Sequence, residues 1–312
     1  MSTPRTRSET WTADDLPDLS GRRIVVTGAS SGLGLITTRQ LAARGASVVM
    51  AVRDLAKGER AASTLRELLP AADLELRALD LLDLDSVRAF ADPLAGEERP
   101  ADVLINNAGI ATQPHRLSPQ GYESQFATNH LGHFALSLRL MESLTRGTDP
   151  RIVTVTSALY PWGRLDLDDL AGERGYSPGR AYVGSKLANA LFGVELDRRL
   201  RASGSPVRSL LAHPGMARTP MQDNARTPVE RLVVAVIGAV LGRDAEQGAL
   251  PLLYAATVPD LPGGSYVGPQ RRTGRMRPGP VPLVPPADDP ALARRLWDVS
   301  ERVTGLRLTP VA

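Results

Sequence analysis

Tyr182-Val-Gly-Ser-Lys186 sets a phenol and an ammonium four positions apart, and on a helix that spacing brings both to one face. A free phenol titrates near 10, too high for efficient proton exchange at neutral pH. A neighbouring positive charge favours the phenolate, so the expected chemistry is proton transfer at Tyr182, with Lys186 lowering its pKa. Lysine is scarce here. Lys57 and Lys186 are the two lysines among 37 basic residues, which makes a pairing at this spacing informative.

A second chemical signal is Thr27-Gly-Ala-Ser-Ser-Gly-Leu-Gly34. Glycines allow a tight turn and let a pyrophosphate approach the free N–H groups at a helix start, so Gly28, Ser30, Ser31, Gly32, Leu33 and Gly34 are expected to hold a dinucleotide. Their spacing is not the common G-x-G-x-x-G. Arg53 lies 19 positions after Gly34, where an acid would take the ribose 2′-hydroxyl of NAD. A guanidinium suits a 2′-phosphate instead, so NADP(H) is the expected preference and NAD(H) the second choice, with the adjoining Asp54 arguing the other way.

These residues need a frame, and the apolar pattern supplies one. Arg23–Thr27 reads as a strand, followed by the glycine turn, a helix closed by Gly45 and a second strand at Ala46–Val52. The alternation continues with helices near Leu55–Leu69 and Ser86–Leu94 and strands at Leu74–Leu79 and Asp102–Ile105. A long helix is expected over Tyr122–Leu144, a strand at Arg151–Thr156, a helix at Arg180–Arg201 and a strand at Val207–Ala212. Beyond the Pro214–Thr227 loop come an apolar helix at Val229–Leu241, a helix at Ala245–Ala256 and a short strand at Ser265–Val267. The proline-rich segment Pro278–Pro290 reads as an extended strap and Ala291–Val303 as a terminal amphipathic helix. Strands apolar on both faces and alternating with helices predict a doubly wound α/β fold with a parallel sheet.

With 312 residues, 42% hydrophobic and 23% charged, the chain has the composition of a globular protein with ample core. It has no cysteine, which excludes disulfides, thiolate metal sites and cysteine nucleophiles. The first twenty residues are polar and the longest apolar run, Leu232–Leu241, is too short to span a bilayer, so a cytoplasmic address without an integral membrane segment is expected. A formal charge of +3 gives no reason to expect a nucleic-acid partner.

Taken together, the motifs resemble the short-chain dehydrogenase/reductase family over roughly residues 20 to 220. T-G-x-x-x-G-x-G is matched by Thr27, Gly28, Gly32 and Gly34, and N-N-A-G by Asn106-Asn107-Ala108-Gly109. The family's catalytic asparagine, serine and Y-x-x-x-K fall on Asn129, Ser157, Tyr182 and Lys186. Pro214-Gly215 matches its P-G, Thr219 the position beside the nicotinamide amide, and Asp80, followed by Leu81, the acid near the adenine. The resemblance implies that Ser157 bonds the substrate carbonyl oxygen, Tyr182 carries the proton, Lys186 also holds the nicotinamide ribose, and Asn129 anchors a water of the proton relay. Within the family, Ala51-Val-Arg-Asp54, His213 and the 24 residues between Ser157 and Tyr182 are similar to the retinol-dehydrogenase-like branch, which includes the WW-domain oxidoreductases.

The expected architecture is a Rossmann-type single domain at 21–268 with substrate loops at 158–179 and 214–227. A polar leader at 1–20 precedes it, and a strap with a C-terminal helix at 269–312 packs on it. The expected function is NADP(H)-dependent hydride transfer between nicotinamide and a hydrophobic ketone, aldehyde or alcohol, a carbonyl reductase or alcohol dehydrogenase. The alternative is a non-catalytic NADP-binding sensor of the same fold, against which the intact Asn, Ser, Tyr and Lys set argues. Tyr160, Trp162, Met216 and Met221 are candidates for an apolar substrate pocket, though Tyr160 and Trp162 could equally staple their loop. His130 and His133 have ligand-like spacing without a third ligand, so no metal is expected, and the arginines at 271, 272, 275 and 277 read as a solvated turn. A small-molecule substrate is the expected partner, and a homo-oligomer stays open.

Overall fold

The computed structural model describes residues 11–215, 245–272 and 275–308. Eight strands form one sheet in the order β3-β2-β1-β4-β5-β6-β7-β8. The strands are β1 (Arg23–Thr27), β2 (Ser47–Val52), β3 (Leu74–Ala78), β4 (Val103–Asn106), β5 (Arg151–Val155), β6 (Arg208–Ala212), β7 (Tyr266–Arg272) and β8 (Arg275–Pro280). The first seven run parallel, and β8 returns antiparallel along β7.

Strict alternation along each strand divides the core between the two faces of the sheet. Ile24 and Val26 pack with Met50, Ile105 and Leu41 on one face, under α1 (Gly32–Ala42), α2 (Leu55–Leu68) and the Ala245–Thr257 helix. Val25 and Val49 pack with Phe90, Leu104, Phe134 and Trp297 on the other, under α3 (Leu84–Ala95) and the long Pro178–Ala202 helix. Because both faces are covered, β1, β2, β4 and β5 are buried along their whole length.

Two expectations change. The Tyr122–Leu144 helix is broken into Ser124–Phe126, a π turn at Ala127–Leu131, then Gly132–Arg139 and Met141–Thr145. The Gly132 N–H reaches back to the Ala127 carbonyl, a five-residue step that widens the helix around Asn129 without disturbing the apolar spacing. Beyond Val267 the chain continues as a hairpin, so the head of the strap is β8. Pro269 pairs with Pro278 and Val267 with Pro280, alternating with Gly268 and Gly279. The prolines thus occupy the alternate positions that need no ladder N–H, and they blunt the sheet edge. Reading each proline as a stop conceals this strand.

Candidate active site

The strand order reverses between β1 and β4, and open α/β sheets bind ligands at the carboxyl ends of the strands at such a point. Thr27, Arg53, Asp80, Asn107, Ser157 and Pro214 all lie at or just past those ends. At the crevice, Gly28 has φ +68° and sits against Ala108, whose Cα and Cβ are 3.0 Å from where a Gly28 Cβ would stand. A Cβ on Gly34 would overlap the Gly28 carbonyl and the Asn107 amide. The Asn107 Nδ2 donates to the Thr27 carbonyl at 2.7 Å, and the Thr27 hydroxyl accepts from the N–H groups of Asn107 and Ala108, both at 2.9 Å. The turns after β1 and β4 are thereby locked together.

Ser31, the N-cap of α1, makes no side-chain capping bond, and the eleven-residue helix has no acid in its first turn. Its leading N–H groups and positive dipole end remain available to a pyrophosphate, with Gly28, Ser30, Gly32 and Leu33 around them. Past β2, Arg53 is exposed and makes no ion pair with another described residue. Asp54 is committed to capping α2, its Oδ1 accepting from Lys57 N at 2.9 Å. Lys57 Nζ reaches Ser31 Oγ at 3.2 Å, a cation at the crevice that the motif reading left unassigned. Its signal was lysine scarcity. Asp80 accepts from Leu82 N, and Leu81 is buried against Gly132. The crevice thus gathers the residues that could hold a dinucleotide, with the start of α1 open to its pyrophosphate.

The candidate proton-handling groups converge past β4 and β5. Gly109 faces both Asn129 and Lys186, for a Cβ there would lie 3.1 Å from Asn129 Oδ1 and 3.4 Å from Lys186 Nζ. Lys186 is buried, with Nζ donating to the Val155 carbonyl at 3.2 Å and lying 6.0 Å from the Tyr182 ring centre. Burial pushes its pKa down to about 8. Tyr182 departs from the expectation: burial raises its phenol above the ordinary value, and what opposes this is a hydrogen bond from Ser157, not the Lys186 charge. Ser157 Oγ also accepts from Leu159 N at 3.2 Å, which fixes the hydroxyl that meets the phenol.

Asn129 is wholly buried and works as a clamp. Its Oδ1 accepts from Ile110 N at 2.8 Å, and its Nδ2 donates to the Ile110 carbonyl at 2.9 Å and to Ser185 Oγ at 2.8 Å. Ser185 in turn donates to the Tyr182 carbonyl at 2.7 Å. Ser185 escaped the sequence reading because a serine inside a helix carries no distinguishing signal.

The segment between Ser157 and Tyr182 is pinned to the helix bearing Asn129. Buried Glu123 accepts from Gln125 N and Phe126 N, while its own N–H donates to the Leu170 carbonyl. Tyr176 Oη donates to the Gln113 carbonyl at 2.7 Å and lies 3.2 Å from Glu123 Oε1. Burial and the Glu123 charge push that phenol up to about 12. Tyr160 is buried, stacks edge-on against Tyr266 and accepts from Val284 N at 2.9 Å, so it staples this segment to the strap. Trp162, in contrast, is 74% exposed.

His213 N–H donates to the Val267 carbonyl, and its ring Nδ1 accepts from Gly215 N, shaping the Pro214-Gly215 turn. Met216, Thr219, Met221 and the Val229–Leu241 helix lie outside the described residues, as do the side chains at 271–276. Among the described residues no helix is long and apolar enough to cross a membrane, and no three candidate ligands cluster for a metal. His130 and His133 are instead occupied by Ser300, Thr27 and Asn129.

A parallel sheet with a nucleotide crevice at its switch point and a serine–tyrosine pair beside a lysine defines a nicotinamide-dependent oxidoreductase. Comparison of the sequence agrees: the short chain dehydrogenase family matches residues 22–230, and the chain belongs to that family. Within it the chain falls in the retinol-dehydrogenase-like branch. It is 38% identical to retinol dehydrogenase 14 of Mus musculus over 301 residues, 92% of this chain and 87% of that one. It is likewise 38% identical to polyprenol dehydrogenase of Mus musculus over 296 residues, 93% of this chain and 86% of the other. A crystal structure of an uncharacterised protein from Mycobacterium paratuberculosis shares 49% identity with a TM-score of 0.79, covering 96% of this chain and 99% of that one.

Proposed function

We propose that this chain is an NADP(H)-dependent oxidoreductase interconverting a hydrophobic alcohol and its carbonyl, with isoprenoid primary alcohols and their aldehydes as the substrate class. The observation that carries the chemistry is the gathering of Ser157 and Tyr182 at the buried Lys186, whose Nζ lies 6.0 Å from the phenol ring centre and donates to the Val155 carbonyl. When bound, NADP(H) supplies or takes up the hydride at the carbonyl carbon. Ser157 donates to the carbonyl oxygen and stabilises the negative charge that grows there. Tyr182 gives that oxygen its proton in reduction and takes it back in oxidation. Lys186 holds positive charge behind the phenol, and Asn129 fixes the helix turn and the Ile110 segment on either side.

Support for NADP(H) comes from Arg53 and Lys57 together. One is an exposed guanidinium and the other an ammonium on Ser31, while the neighbouring acid Asp54 is used in capping. Support for the substrate class comes from the two relatives, both named for isoprenoid alcohols, and from Trp162, an exposed aromatic just past Ser157. The assignment makes 21–268 the catalytic unit, with the strap and C-terminal helix as part of the same body.

The test is turnover of all-trans-retinal with NADPH and of all-trans-retinol with NADP⁺, each repeated with NADH or NAD⁺ and with product identified by chromatography. Retinol or retinaldehyde formation favouring the phosphorylated nucleotide is expected. Turnover with sugar or hydroxy-acid substrates alone would overturn the substrate class, and a preference for NADH would overturn the cofactor.

A further inference from the structure

His133 is buried between the two halves of the site. Its Nδ1 lies 2.9 Å from the Asn129 main-chain carbonyl and its Nε2 3.0 Å from the Thr27 hydroxyl. A carbonyl only accepts, so Nδ1 carries the ring proton and donates it to Asn129. Burial, with the Lys186 charge nearby, holds the imidazole down to about 4, so the ring is neutral near pH 7 and Nε2 is an acceptor.

The Thr27 hydroxyl therefore donates to Nε2; the Ile105 carbonyl, at 3.3 Å, is the longer of its two acceptors. The same hydroxyl oxygen holds the N–H groups of Asn107 and Ala108. At the far end, Asn129 passes through Ser185 to the backbone of Tyr182. One ring thus joins the nucleotide crevice to the helix carrying the acid/base. The π turn is what widens the helix around Asn129, whose carbonyl the His133 side chain takes from the following turn.

We infer that His133 is a positioning residue for hydride and proton transfer, holding the Asn129 turn in register with the glycine turn so that nucleotide and phenol meet at one geometry. The inference rests on the function proposed above. It assigns a role to a side chain that touches neither substrate nor cofactor, and a misplacement of less than 1 Å at a reacting pair is costly in rate.

Three variants separate positioning from packing. His133→Phe removes both hydrogen bonds at similar volume, His133→Asn keeps a donor near the Nδ1 position, and His133→Gln keeps only a group near Nε2. With all-trans-retinal, His133→Phe is expected to lose at least about tenfold in kcat and shift the pH profile of kcat, while NADPH affinity stays within about threefold. His133→Asn, which keeps the Asn129 bond but not the one to Thr27, should recover little of the kcat or the profile. A phenylalanine variant with parental kcat and pH profile, whatever its melting temperature, overturns the inference, and so does an asparagine variant that regains parental kcat without the link to Thr27. Should His133→Phe not fold, His133→Gln takes its place with the same expectation.

A readout independent of turnover keeps this apart from the assignment of function. In hydrogen exchange of the NADPH-bound protein, residues 106–110 and 127–133 should both exchange faster in His133→Phe. Loosening of 127–133 alone overturns the coupling. A parent inactive on retinal but showing the paired loosening would sink the substrate assignment and leave the coupling standing.

Discussion

Lys57 Nζ donates to Ser31 Oγ across 3.2 Å, tying the first turn of α2 to the glycine turn at the edge of the crevice. Arg53 is exposed four residues earlier, so two cations stand at that edge of the crevice. Arg53→Ala should weaken NADPH binding by about 2 kcal/mol, about thirtyfold, and leave NADH nearly unchanged. Lys57→Ala should lose less, in the same direction. Titration of each variant with both nucleotides decides it, and equal losses for NADPH and NADH would reject a phosphate-reading role.

Tyr182→Phe removes the hydroxyl that Ser157 contacts and keeps the ring. Turnover should fall by at least about 10²-fold with NADPH affinity unchanged. Lys186→Ala should reduce both turnover and affinity, because its ammonium lies beside Gly109 as well as behind the phenol. Steady-state rates and fluorescence titration of the two variants separate these effects; a phenylalanine variant retaining a tenth of parental kcat points to another proton donor.

Acid should destabilise the fold through His130. Burial first, then the charge of His133, pushes its pKa down to about 3 in the folded protein, whereas in the unfolded chain it titrates near 6.5. Between those values the unfolded chain binds the additional proton, so stability is full above 6.5 and falls as the pH drops toward 3. The slope is about 1.4 kcal/mol per pH unit for this one group. His130→Phe, which fits the ring cluster of Phe126, Phe134 and Phe192, should flatten the curve. Denaturant unfolding of parent and variant at pH 7 and pH 5 measures the difference.

Tyr160 and Trp162 should separate in function although they are two residues apart. Tyr160→Phe leaves the Val284 N–H without its partner and should cost about 1 kcal/mol of stability, with little change in substrate preference. Trp162→Ala should leave the melting temperature alone and change kcat/KM for retinal relative to a small aldehyde by several-fold. The opposite pattern in thermal unfolding and paired kinetics would exchange the two roles.

What the sequence made legible was local. Gly28, Gly34 and the Tyr182–Lys186 pair announce themselves because a turn or a single helix face sets their spacing. Doubly apolar runs such as Val103–Ile105 imply covered parallel strands on their own. The phenol's raised pKa was not legible, because the depth at which Tyr182 and Lys186 sit is a tertiary property. Nor was the π turn, since one extra residue in a turn leaves the apolar periodicity almost intact. Glu123 carries no sequence signal, and the ligand-like spacing of His130 and His133 gives no hint of the Thr27 bond until the elements packed around them are known. Lys57 is intermediate: rarity drew notice to it, but only the fold brings it to Ser31.

The anchoring of the segment between Ser157 and Tyr182 bears on how such an enzyme can change its diet. Tyr176 and Glu123 fasten one end to the body, and Tyr160 fastens the other to the strap. Between these rivets, residues such as Arg164, Asp166 and Asp168 are exposed and free of the catalytic groups. Selection or engineering can therefore exchange those exposed side chains while the buried Leu167 and Gly163 keep the segment seated on the helix beneath it.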